Sequence, residues 1–120
     1  MLEAFSLRQK GSKEKNAGDL LKRGFLLVEK KEYKQATIEL TLANEKNSEQ
    51  TVKELKTKFK EYCDIEDFEA IRSIGLVLLK TNESDCELLN TLGNCARRLK
   101  DYEQANHFYR LAIKQDNSYS

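Results

Sequence analysis

The sequence predicts an all-α chain folded as a stack of antiparallel helix pairs. Three observations carry that prediction. Apolar residues recur at steps of three and four in six successive runs, the spacing that gathers them on one face of a helix. Two of the breaks between runs are near-copies, Lys31–Ala36 (KEYKQA) and Lys100–Ala105 (KDYEQA), so the pattern repeats along the chain. Proline is absent from all 120 residues, which removes the strongest interruption of helical hydrogen bonding.

Residues 1–16 stand outside the repeat. Leu2, Phe5 and Leu7 suffice for one short capping helix, and Lys10–Lys15 reads as a polar link. The expectation is an N-terminal tail or short capping helix over 1–16. The repeating domain then covers 17–120, with units at about 17–50, 52–85 and 86–119.

Asn16 is a good N-cap, with Asp19 in the first turn. Leu20, Gly24 and Leu27 form the inner face of the first helix. Lys30–Glu32 makes a turn, and Tyr33, Ala36, Leu40 and Ala43 line the second helix.

The middle unit is a diverged copy. Thr51 with Glu54 three residues later has the capping-box form and predicts a helix start there. Leu55, Phe59 and Tyr62 follow on one face. Asp67-Phe68-Glu69 repeats the turn, and Ile71, Gly75 and Leu78 carry the next helix. Phe59 is large where Gly24 and Gly93 are small, and Gly75 is small where Leu40 and Tyr109 are large. This reads as one compensating exchange across a helix pair, since interiors tolerate volume-conserving changes best.

Ser84 with Glu87 predicts a second capping box at the head of the last unit. Leu89, Leu92 and Ala96 lie on one helix face, and Tyr102, Ala105, Tyr109, Ala112 and Ile113 on the next. Gly93 and Ala105 are small where the two helices cross.

Leu92-Gly93-Asn94, Asp101-Tyr102-Glu103-Gln104-Ala105, Tyr109 and Ala112 together resemble the tetratricopeptide repeat, a 34-residue helix–turn–helix unit. Leu89 stands where that family usually has tryptophan, and Asn117 where it has proline. The resemblance implies a right-handed superhelical α-solenoid of about three repeats that binds other proteins. Arrays of this kind usually end in a polar-faced cap. None follows Asp116, which predicts either a piece of a longer array or an end face buried by a partner or a second copy.

Composition narrows the function. Apolar residues are 39% and charged residues 34%, with a net charge of +1. That suits a surface-rich helical array and gives no bulk attraction to nucleic acid or membrane. No apolar run reaches the ~18 residues of a membrane span, and Met1–Lys10 lacks a signal-peptide pattern. Cys63, Cys86 and Cys95 are odd in number and lack metal-ligand spacing, which fits small buried residues in a reducing, cytoplasmic setting. His107 is the only histidine, and the five glycines are isolated rather than gathered in a phosphate loop. A non-enzymatic protein with no cofactor and no metal is expected. RNA-reading helical repeats place base-reading side chains at fixed repeat positions, and no such recurrence is visible.

The resemblance also implies where a partner sits, because the first helix of each unit faces the concave groove. The expected groove residues are Leu21, Phe25 and Val28 in the first unit, Lys53, Lys56 and Lys60 in the second, and Glu87, Asn90, Asn94 and Arg97 in the third. Leu21, Phe25 and Val28 would hold an apolar anchor, the lysines and Arg97 would attract acidic groups, and the asparagines would hydrogen-bond peptide backbone. The expected partner is another protein, through an acidic or amphipathic segment. The carboxylate clamp of chaperone-tail receptors in this family is not matched, since Leu21, Phe25, Glu87 and Thr91 occupy its positions and Asn94 alone agrees. Two further readings are a structural module that self-associates or docks through its end faces, and a small secretion chaperone of the same repeat type, which the apolar first groove helix suits.

Overall fold

The computed structural model describes residues 16–82 and 84–117. The expected tail or cap over 1–16 lies outside them, apart from Asn16. Among the described residues there are six helices and no strand: α1 (Ala17–Glu29), α2 (Tyr33–Lys46), α3 (Ser48–Ile65), α4 (Phe68–Leu79), α5 (Cys86–Arg98) and α6 (Tyr102–Asn117). They pair as α1 with α2, α3 with α4 and α5 with α6, and α4 joins the pairs by packing on α2 and α5. This is the all-α solenoid of helix pairs that the periodicity predicts.

Each pair closes through the same turn. Lys31, Glu66 and Lys100 adopt left-handed backbone conformations, with φ of 64°, 57° and 65°. The next amide in each case reaches back to the helix just ended: Glu32 to the Leu27 carbonyl (2.9 Å), Asp67 to Tyr62 (3.1 Å) and Asp101 to Ala96 (2.8 Å). These bonds satisfy carbonyls that a helix end otherwise leaves open. Asp67 and Asp101 then cap the following helices, accepting from Ala70 N (3.3 Å) and Gln104 N (3.2 Å). Glu32 makes no such side-chain bond.

Asn16 caps α1 as expected, accepting from Asp19 N at 2.8 Å. The other two predicted starts are corrected. Asn47, not Thr51, caps α3: its side chain accepts from Gln50 N (3.1 Å), and its own amide donates to Ala43 O (3.0 Å) at the end of α2. One residue thus closes one helix and opens the next. Thr51 lies inside α3, fully buried, and its hydroxyl has no partner. At α5 the cap is Asp85 rather than Ser84, with Oδ1 accepting from Leu88 N at 3.0 Å. In both cases the Asn or Asp immediately before the first helical residue takes the open amide.

Glycines set the helix crossings. A Cβ on Gly24 would lie 2.5 Å from Leu40 Cδ2, and one on Gly93 would lie 2.6 Å from the Tyr109 ring. A Cβ on Gly75 would lie 2.6 Å from Leu92 Cδ2 and 3.0 Å from Phe59. The small–large exchange read from the middle pair is therefore a real contact. Leu21, Leu40, Leu55, Ile74, Leu89 and Leu92 form the fully buried spine. α4 is buried on most of its circumference, because α2, α3 and α5 all pack on it.

Candidate functional site

α3 and α5 both rest on α4 and leave a groove between them. It contains a larger cavity of about 570 Å³ and a smaller one of about 270 Å³. Cys63 and Thr91 line both, so the two lie side by side along the groove. The floor of the larger cavity is apolar: Val52, Phe59, Leu78 and Leu88. Phe68 and Ile71 continue that floor beneath the smaller one.

Lys56 and Lys60 stand on the α3 wall. Their spacing of four puts both on one face of the helix. Among the described residues, ion pairs join Arg23 to Glu39, Lys58 to Glu61, and Arg72 to Glu69 and Asp101. Lys56, Lys60 and Arg97 take part in none of them. Arg97 lines the smaller cavity beside Arg98, whose guanidinium lies 5.3 Å from the centre of the Phe68 ring. Asn94 lines the same cavity, and its Oδ1 accepts from the Tyr109 hydroxyl. That bond leaves the amide hydrogens of Asn94 available. Asp85 and Glu87, at the head of α5, line the same cavity as the lysines.

The groove thiols are not primed as nucleophiles. Burial pushes Cys95 up to about 11, against the opposing pull of Arg72. Its Sγ donates to the Phe68 carbonyl at 2.8 Å. Burial, with Asp64 adding to it, raises Cys63 as well. His107 is exposed, its ring 5.7 Å from that of Phe108. Among the described residues no group of three or more His, Cys, Asp or Glu is placed to hold a metal. No helix among them is long and apolar enough to cross a membrane.

The expected groove residues divide. Lys56, Lys60, Glu87, Asn94 and Arg97 come together along this groove. Lys53 and Asn90 are exposed but line neither cavity. Leu21 and Val28 are corrected, being core residues at 1% and 3% exposure. α1 packs on α3 as well as α2, so the side of α1 turned away from α2 is covered rather than open. Val28 lies in a cluster with Ala36, Ala70 and Tyr62. Phe25 is partly buried, with the Lys58 ammonium 5.6 Å from its ring centre. The apolar part of the groove comes instead from Val52, Phe59, Leu78 and Leu88. One sequence signal was available: Val52, Lys56, Phe59 and Cys63 fall at steps of four, three and four, a stripe on α3 that shares Phe59 with the Leu55–Tyr62 face and continues to the groove side.

No curated protein matches the chain. Residues 86–119, which comprise α5, its turn and α6, match the family model described as tetratricopeptide repeat. The last helix pair thus matches a tetratricopeptide repeat, and two further helix pairs are stacked before it.

Proposed function

We propose that this is a non-enzymatic adaptor of three stacked repeats that binds a segment of another protein along the α3–α5 groove. Repeats of this family generally mediate protein–protein interaction and are typically non-catalytic. The observation that supports this groove is a cavity of about 570 Å³ with an apolar floor beside two lysines that, among the described residues, take part in no ion pair. Apolar area gains roughly 25 cal/mol per Å² when covered, and exposed cations steer a charged partner toward it. Lys56, Lys60 and Arg97 would engage acidic side chains, and Asn94 a backbone carbonyl.

The test is a pull-down with mass spectrometry comparing wild type with Lys56→Glu/Lys60→Glu, after circular dichroism shows equal helicity. A partner retained equally by both proteins sinks the groove assignment.

A second reading is supported by α6, where Tyr102 and Ile113 are each 59% exposed. It is self-association or docking through that face. Light scattering decides it, because a mass that stays monomeric at high concentration removes self-association. The secretion-chaperone reading drew on an apolar first groove helix. With Leu21 and Val28 in the core, that support is gone.

A further inference from the structure

One face of α6 stands open. Tyr102, Asn106, Tyr109 and Ile113 fall at steps of four, three and four, so they form one row along the helix. Tyr102 and Ile113 are each 59% exposed, Asn106 is exposed, and Tyr109 is partly buried. Tyr33, Thr37, Leu40 and Asn44 hold the same places on α2. None of those four is exposed, because α1 and α4 both pack on that helix. The row on α6 is thus a packing face without its cover.

A second row runs beside the first and carries charge. Glu103, His107, Arg110 and Lys114 are all exposed. Glu103, Arg110 and Lys114 take part in no ion pair among the described residues. The acid stands in the first turn of α6, and the two bases stand toward its end. A copy of α6 laid parallel would bring each charge level with its like. A copy laid antiparallel brings each acid level with the bases.

The first row fixes the register. Antiparallel packing that sets Tyr102 against Ile113 of a second copy also sets Asn106 against Tyr109. A two-fold axis repeats both contacts, since such an interface uses the same patch on both subunits. Glu103 then stands two residues, about 3 Å along the helix, from both Arg110 and Lys114 of the second copy. His107 lies beside the axis. The face therefore complements itself in shape and in charge, and charge complementarity selects partner and orientation.

We infer that α6 is a self-pairing surface, through which two copies of the chain join by antiparallel α6 helices. Tyr102 packs on Ile113 at both ends, and Glu103 sits between Arg110 and Lys114 of the second copy. This rests on the self-association reading above and adds its orientation and register. One helix from each copy keeps the contact below about 1,200 Å², the low end of interface sizes. The dimer is accordingly weak and depends on concentration.

The test measures mass by light scattering on the full chain from micromolar to millimolar concentration, with circular dichroism showing equal helicity for every variant. Wild type is expected to rise from one chain toward two, and Ile113→Asp to stay at one. Glu103→Lys, and separately Arg110→Glu/Lys114→Glu, should each weaken self-association by at least about tenfold, the ratio that 1.4 kcal/mol produces. An equimolar mixture of those two variants should recover it, because each then meets charges opposite to its own. A wild-type dimer whose mass Ile113→Asp does not change, or whose two charge variants stay monomeric when mixed, overturns the antiparallel α6 pairing and leaves self-association standing. A wild type that stays monomeric to millimolar concentration overturns both, and leaves the face to a different protein.

Discussion

Phe59 and Gly75 cross in the middle helix pair with their sizes reversed relative to the pairs on either side. Glycine sits on the first helix at Gly24 and Gly93, and it receives Leu40 or Tyr109 from the second. In the middle pair the ring comes from the first helix and the gap from the second. Gly75 must also admit Leu92 of α5, at 2.6 Å from where a Cβ would stand. Gly75→Ala therefore meets crowding from two helices at once. Overpacking of this kind costs about 1–3 kcal/mol, and the better helix propensity of Ala returns up to about 1 kcal/mol. Urea denaturation should show a net loss. Adding Phe59→Leu should recover part of it, with a coupling of at least about 0.5 kcal/mol. Strictly additive losses would mean that the ring and the glycine do not share this space.

The turn before α2 lacks a feature that its two counterparts have. Asp67 and Asp101 cap the helices they precede, whereas Glu32 occupies the same position without a side-chain bond. Its extra methylene carries the carboxylate past the first-turn amides. Glu32→Asp should stabilise the chain by about 0.5–1 kcal/mol, seen as a higher urea midpoint with an unchanged slope. No gain, with the turn intact, would show that the backbone at Glu32 (φ −96°, ψ 69°) cannot present a cap.

Lys31 and Lys100 hold left-handed backbone at exposed positions. A side chain in that region costs roughly 1–2 kcal/mol, and glycine gives some of this back through the entropy of the unfolded chain. Lys31→Gly and Lys100→Gly should each raise stability by about 0.5 kcal/mol, and their effects should add. A loss at either position in thermal melts would mean that the lysine side chain makes a compensating contact.

The sequence is most informative where the structure is local. The turn at 31, 66 and 100 follows from near-copied residues, and the Phe59–Gly75 exchange from volume alone. The start of α3 was misplaced because Asn47 serves two helices at once, a role that a search for one cap per helix passes over. The error at Leu21 and Val28 has another origin. Periodicity identifies an apolar face but not which neighbour covers it, and the closeness of α1 to α3 is a tertiary fact. The groove's apolar floor was missed for the same reason, since Leu78 and Leu88 come from helices that meet only once the pairs are stacked.

Stability should fall at alkaline pH through Cys95. Burial holds its thiol near 11 in the folded chain, against 9.0 ordinarily. Between those values the unfolded chain releases a proton that the native chain keeps, so unfolding becomes easier as pH rises. The contribution is complete below pH 9 and is lost through 11. Tyr33 and Tyr62, also raised by burial, act in the same direction. Chemical denaturation from pH 8 to 11 should therefore show a decline that Cys95→Ala makes shallower. Equal slopes would remove Cys95 as a contributor.

Arg72 binds the last two pairs together. Its guanidinium donates to Glu69 Oε1 (2.9 Å) on its own helix, to Asp101 Oδ2 (3.3 Å) in the α5–α6 turn, and to Gln104 Oε1 (3.1 Å) on α6. One planar fork thus sets where the α5–α6 hairpin sits on α4, and through it the position of the α5 wall of the groove. The partners are partly exposed, with Glu69 and Asp101 side chains at 45% and 44%, so screening limits the gain. Arg72→Met should cost about 1–2 kcal/mol and should loosen the third pair before the first. Hydrogen exchange should show that order, with protection lost in α5 and α6 first. Arg72→Lys should recover only part of the loss, because an ammonium cannot reproduce the fork. If Lys restores full stability, charge rather than geometry joins the pairs, and the groove walls owe their spacing to the Leu92–Gly75 contact instead.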